Sequence, residues 1–252
     1  MATVAVGDIH GNLAALLDLL GQLRGEVAEG DVVVFLGDYI DRGPDSRGCV
    51  EAILAFRREI SGEVVCLRGN HEDWMLRTLN DHARHSWLLG MPPFETVRSY
   101  SPDAERALRD AMSAAGLQLY LGRCELPYDV FFDAMPASHR AFFAELLPYF
   151  ESPDCICAHA GVNPRVSNLA EQPMEALVWG AAAFPAEYRG ERTVVYGHRN
   201  NADIDAQGWP GPRIVGNTIG VDTISHDVLT AIRMPDRQVF QSDRHAAPKL
   251  PL

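Results

Sequence analysis

Aspartates, histidines and one asparagine recur in five short runs of this sequence, each placed after an apolar stretch and each beside glycine. The first, Gly7-Asp8-Ile9-His10-Gly11, lets a carboxylate and an imidazole leave one loop towards one point. Gly37-Asp38-Tyr39-Ile40-Asp41-Arg42-Gly43 offers two carboxylates beside a guanidinium. In the third run, Arg68-Gly69-Asn70-His71-Glu72, a strand pattern gives way to a helix pattern, and the unpaired N–H groups of a helix amino end suit a phosphate oxygen. The last two are His159 in Ala158-His159-Ala160-Gly161 and His198 in Tyr196-Gly197-His198. Each run alone has an ordinary explanation: a solvated turn, an aspartate capping a helix, or a structurally satisfied histidine. Together they make a mixed oxygen and nitrogen donor set of the kind that holds hard or borderline divalent cations.

Such residues need a scaffold that brings five distant loops together. The N-terminal third alternates β-branched runs (Thr3 to Val6, Val32 to Leu36, Glu63 to Leu67) with amphipathic helix patterns, first through Leu13, Leu16, Leu17, Leu20 and Leu23. Further helices are predicted at Val50 to Phe56 and from Glu72 to about Leu79. This alternation predicts a layered α/β domain, in which sites gather at the carboxyl ends of strands. From about 81 to 135 the pattern changes to helix and loop, read as a lid-like insertion within a single domain spanning 1–252. It includes a helix capped by Ser101, starting at Pro102 and running to about Ala115. Its aromatics Trp87, Phe94 and Tyr100 are expected to pack the insertion onto the domain rather than to line a substrate groove. A helix at His139 to Leu147 and strands at Asp154 to Ala158, Thr193 to Tyr196, Arg213 to Val215, Val228 to Ile232 and Gln238 to Gln241 follow. They imply a second, more antiparallel sheet, and the polar tail from Asp243 is expected to fray.

Composition narrows the class. The chain has 252 residues, 47% hydrophobic and 22% charged, which is the range of a globular protein with a sizeable core. No apolar run approaches the ~20 residues of a membrane span, and the N-terminus reads as strand rather than secretory signal, so the cytoplasm is the expected location. Five cysteines without a Cys-x-x-Cys spacing predict reduced thiols. A formal charge of -12 argues against nucleic acid or anionic lipid as partner. An anionic substrate must therefore be met locally, by metals and a few arginines.

The five runs, in this order and at this spacing, resemble those of the calcineurin-like metallophosphoesterases over most of the chain. Within that superfamily the resemblance is to the serine/threonine phosphoprotein phosphatases, with their bacterial members, and to the symmetrical diadenosine tetraphosphatases. It implies a four-layer sandwich of two mixed β-sheets flanked by helices, with two divalent ions at one edge. By matching motif residues it implies that Asp8 and His10 hold the first metal, that Asp38 bridges, and that Asn70, His159 and His198 hold the second. Manganese is the implied content, with iron or zinc as alternatives. A hydroxide shared by the two ions is the implied nucleophile, His71 oriented by Asp41 the implied acid, and Arg42 and Arg68 the implied phosphate-binding residues.

One departure concerns specificity. Relatives commonly carry Trp-x-Arg after the His-Ala-Gly run, whereas here Trp179-Gly180-Ala181 lacks the arginine. Either Arg189 or Arg199 replaces it or the substrate is bound differently, with Trp209 and His226 as further candidate contacts that read first as structural. Three enzymatic expectations follow: a phosphomonoesterase acting on phosphoproteins or on small phosphorylated metabolites, a dinucleoside tetraphosphate hydrolase, and, disfavoured by charge, a nuclease. A non-catalytic metal-binding module is the rival from another class, weakened by the retention of all six ligand positions with His71 and Asp41.

Overall fold

Three β-branched strands and two crossover helices open the chain. The computed structural model describes residues 1–82, 86–91, 93–122 and 124–245. In it β1 (Thr3–Val6), α1 (Leu13–Leu23), β2 (Val32–Phe35), α2 (Ser46–Glu59), β3 (Glu63–Cys66) and α3 (Asn70–Asn80) follow one another. β1 pairs with β2 and β2 with β3 in parallel, Val4 opposite Val33 and Val33 opposite Val64. Parallel strands must be covered on both faces, and the two-residue alternation of side chains shows how this is met. Val4, Val6, Val33 and Phe35 join a cluster with Leu16, Leu20, Val50 and Ile53 of the helices, whereas Ala5, Val34 and Val65 face the other way into a second cluster.

The described residues between 81 and 135 include α4 (Ser86–Gly90), α5 (Phe94–Tyr100), α6 (Pro102–Ala115), α7 (Leu117–Tyr120) and α8 (Asp129–Phe132), followed by α9 (Ala137–Ala144). α6 has the predicted bounds because the Ser101 side chain accepts from Ala104 N and Pro102 occupies the first turn, where its missing N–H costs nothing. Trp87 and Tyr100 are buried in the same cluster as α1 and α2, and Phe94 packs at its margin under the Arg109 guanidinium, 3.9 Å from the ring centroid. These aromatics are therefore packing residues.

The rest of the chain is β4 (Phe150–Glu151), β5 (Cys155–Ala158), α10 (Met174–Trp179), β6 (Thr193–Tyr196), β7 (Ala202–Ile204), β8 (Pro210–Val215), β9 (Thr218–Gly220), β10 (Thr230–Met234) and β11 (Gln238–Gln241). The first sheet has the order β11-β10-β1-β2-β3 and the second β4-β5-β6-β9-β8-β7. This corrects the expectation of a separate, more antiparallel sheet for all the late strands. β10 returns to pair antiparallel with β1, because Ala231 fits the helix-side cluster while Ile232 and Met234 fill the cluster between the sheets. The centre of the second sheet, β5-β6-β9, is parallel. Cys155, Cys157, Val195 and Ile219 face the first sheet, and Ile156, Ala158, Val194 and Tyr196 pack outwards against Leu177 and Val178 of α10. Helices, sheet, sheet and helix make the four layers.

The segment after β11 is better anchored than its polarity predicts. Asp243 N donates to Asp18 Oδ2 at 2.7 Å and His245 N to Asp227 O at 2.8 Å, so the chain is held against α1 through His245. The remainder of the expected fraying tail, 246–252, lies outside the described residues.

Candidate metal centre

Asp8 and His10 follow β1, Asp38 follows β2, Asn70 opens α3 after β3, His159 follows β5, and His198 follows β6. These are the carboxyl ends of parallel strands in both sheets, and the sandwich brings them to one edge. The donor atoms of Asp38, His10 and His71 lie within 4.8 Å of one another, as do those of Asp38, His159 and His198. Asp38 belongs to both groups: Oδ2 is 3.4 Å from His10 Nε2 and Oδ1 is 3.5 Å from His159 Nε2. Asn70 Oδ1 meets His159 Nε2 at 2.9 Å and His198 Nδ1 at 3.0 Å. Asp8 stands slightly apart, with Oδ2 4.0 Å from His10 Nε2 and both oxygens 3.1 Å from His198 N. The arrangement thus gathers all six expected ligands.

The tautomers are set from behind. His10 Nδ1 lies 3.0 Å from Ile40 O and His159 Nδ1 3.0 Å from Leu36 O, so each Nδ1 carries the hydrogen and each Nε2 a lone pair. The Nε2 of His10 is buried without a hydrogen-bond partner, and it faces the carboxylates of Asp38 and Asp8. A lone pair turned towards anions in a dry site is repulsive unless a cation lies between them. This donor set fits divalent ions.

Charge points the same way. Burial, together with Asp222 and Asp38, pushes the Asp8 carboxyl well above its ordinary range, and burial with Glu72 does the same to Asp38. Burial holds the imidazoles of His10 and His159 well below theirs, and burial with Arg199 brings His198 to about 4. Buried carboxyls beside imidazoles held neutral form a donor set suited to divalent ions.

The loops pay in backbone strain for this convergence. Among the described residues, seven of the nine non-glycine residues with positive φ are His10, Asp38, Asp41, Arg42, His198, Arg199 and Asn200, all at this edge. Close approach also requires glycine: a Cβ on Gly197 would overlap Asp8 Oδ1, and one on Gly69 would overlap Asp38 Oδ1.

Sequence reasoning missed the residues that hold these loops. Glu72, wholly buried, accepts from Asp38 N at 2.9 Å, Tyr39 N at 2.9 Å, Gly69 N at 3.1 Å and Ile40 N at 3.3 Å. Its place at the end of the third run was the available signal. Replacing Glu72 with alanine orphans these buried donors and is expected to cost about 3 kcal/mol or more, read as a lowered urea midpoint with unchanged m-value. A midpoint within about 0.5 kcal/mol of wild type would refute this role. Asp222, also buried, accepts from Asn200 N at 2.6 Å and sits close enough to Asp8 to raise its carboxyl.

His71 differs from the other histidines. Its Nδ1 is 2.7 Å from Asp41 Oδ2 rather than against a backbone carbonyl. Asp41 in turn accepts from Trp87 Nε1 at 3.0 Å and Thr96 Oγ1 at 2.7 Å, partners from the segment read as an insertion. Burial raises Asp41 to about 7 and, with Arg42, lowers His71 to about 3, so the pair keeps one shared proton up to about neutral pH. Whichever atom carries it, His71 Nε2 can deliver one proton and be restored through Nδ1.

The arginines divide. Arg42 and Arg199 are exposed beside the centre, and among the described residues neither guanidinium has a hydrogen-bond or ion-pair partner. Arg68 leans on Asp73 at 3.8 Å, which also accepts from Trp179 Nε1 at 2.8 Å. Arg189 donates to Ala186 O and Tyr188 O at 2.8 Å each and is committed elsewhere. Trp209 is structural, donating to Gln241 Oε1 at 2.8 Å beneath the Arg244 guanidinium. His226 borders a small surface hollow with Gly208, Ser225 and Arg244.

Known proteins resemble this chain in sequence and in fold. The calcineurin-like phosphoesterase family model matches residues 1–227. Serine/threonine-protein phosphatase 1 of Salmonella typhimurium is 40% identical over 84 residues, a match spanning 33% of this chain and only 36% of that protein. The asymmetrical bis(5'-nucleosyl)-tetraphosphatase PrpE of Bacillus velezensis is 24% identical over 94% of this chain and 91% of its own. A solved serine/threonine phosphatase structure from Saccharomyces cerevisiae superposes with a TM-score of 0.54 at 15% identity, covering 99% of this chain and 82% of that one, and so shares the fold. With its family's model matched over residues 1–227, this chain belongs to the calcineurin-like phosphoesterases.

Proposed function

We propose that this chain is a phosphomonoesterase of the serine/threonine phosphatase type, releasing phosphate from phosphoserine or phosphothreonine in proteins or from a small phosphorylated metabolite. The observation that carries the reading is Asp38 shared between two donor groups with the proton-holding His71–Asp41 pair at its side. Asp8, His10 and Asp38 are the ligands assigned to one ion, and Asp38, Asn70, His159 and His198 those assigned to the other, with manganese the favoured content. Bound there, the ions supply Lewis acidity and a nucleophile at neutral pH. Arg42 binds the phosphoryl oxygens, Arg68 assists from its seat on Asp73, and His71 gives its Nε2 proton to the departing oxygen.

A second reading, hydrolysis of dinucleoside polyphosphates, is favoured by the likeness to PrpE along nearly the whole of both chains. The site chemistry is shared, and only the group beyond the reacting phosphorus differs. Chelator-stripped protein given Mn²⁺ and tested on p-nitrophenyl phosphate, a phosphothreonine peptide and diadenosine tetraphosphate decides between them. Preference for either monoester by tenfold or more in kcat/KM supports the first reading, preference for the dinucleotide the second. Equal rates with and without metal would sink both.

A further inference from the structure

Arg199 follows His198 directly in the strained loop and itself has a φ of 73°. The side chain is exposed but touches the fold at one place. It lies on the backbone of Gly180, which closes α10 with φ of 91°. A Cβ on Gly180 would stand 2.6 Å from Arg199 Nη2, 3.2 Å from Cζ and 3.5 Å from Nε, so the guanidinium occupies space that a glycine leaves open. The loop beneath is fixed: Asn201 Nδ2, buried, donates to the carbonyls of both Gly197 and His198, and Asn200 N donates to Asp222 Oδ2. The α10 seat is fixed too, since Ala160 N, next to His159, donates to Leu177 O at 2.7 Å. A cation is thus placed next to His198, between the loop that carries this residue and the end of α10. Among the described residues no anion pairs with it.

We propose that Arg199 is a specificity-determining residue that binds the terminal phosphoryl group of substrate from the His198 side, opposite in chain origin to Arg42, and so favours phosphomonoesters over diesters. A monoester dianion presents more charge and an additional unesterified oxygen, which matches a second guanidinium whose donors are free. The inference rests on the phosphomonoesterase reading and supplies the phosphate contact that Ala181 does not provide.

The test uses Mn²⁺-loaded protein and two readouts: calorimetric binding of inorganic phosphate, and kcat/KM on p-nitrophenyl phosphate against bis(p-nitrophenyl) phosphate. Arg199→Ala is expected to weaken phosphate binding and raise the monoester KM by roughly 10- to 100-fold, as expected for a charge-assisted hydrogen bond. The diester should change less than threefold, and metal content should be unchanged. Arg199→Lys keeps the charge without the fork and should fall between. Phosphate affinity within twofold of wild type in Arg199→Ala overturns the inference. So does an equal loss on monoester and diester, a loss of bound Mn²⁺, or a wild type that binds no phosphate. A wild type that binds phosphate but turns over no phosphoester defeats the functional reading instead, and the calorimetry still decides the role of Arg199.

Discussion

Asp38→Ala is expected to lower metal-dependent kcat/KM by on the order of 10³-fold or more and to leave room for at most one tightly held ion. The carboxylate is the only side chain in both donor groups, with one oxygen turned to each. Elemental analysis after dialysis against Mn²⁺ reads the occupancy. The same carboxyl, held high by burial and Glu72, and Asp8, held high by burial and Asp222, must give up protons when a cation enters. Manganese affinity of the wild type should therefore weaken as pH falls from about 8 to about 5, and the weakening should be shallower in Asp38→Ala. Full two-ion occupancy with retained turnover in the variant would falsify the bridging assignment.

His71→Ala is expected to cost roughly 10²- to 10⁴-fold on substrates with strongly basic leaving groups, such as a phosphothreonine peptide. On p-nitrophenyl phosphate, whose leaving group needs little protonation, the loss should be at least tenfold smaller. Metal content should hold, because His10, Asp8 and Asp38 remain. If His71 instead served as a ligand, which its place beside His10 and Asp38 permits geometrically, metal would be lost and both substrates would suffer alike. The pH profile gives a second reading. The proton shared by His71 and Asp41 is retained below about 7 and lost above it, so wild-type kcat on the peptide should fall as pH rises through that range. The variant should lack this limb.

The first three strands and their helices were legible because their pattern is local: β-branched runs of four or five residues, leucines at helical spacing, and a Ser-Pro helix start. The gathering of the candidate ligands was legible because strand-end loops in parallel sheets leave their side chains few directions in which to point. What could not be read was pairing at a distance. The fate of Thr230 to Met234 depends on whether β1 or the second sheet offers the better partner, and an alternating apolar pattern satisfies either. Thr96 and Trp87 hold Asp41 through contacts that span 55 and 46 residues, with no spacing rule to announce them. Gly180 looked like one half of a missing arginine signal, and only the packed structure shows it as the seat for another arginine.

The return of β10 to β1 also bears on how the chain comes into being. β1 is a central strand, yet its partner on one side is formed by residues 230–234. On a ribosome adding about 5–20 residues per second, the first strand waits on the order of ten seconds or longer with a row of unpaired amides and carbonyls along that side. An unfilled strand edge of this kind is a template for the wrong neighbour. Nascent chains stalled between β9 and β10 should therefore be the species most prone to aggregate and most dependent on chaperones.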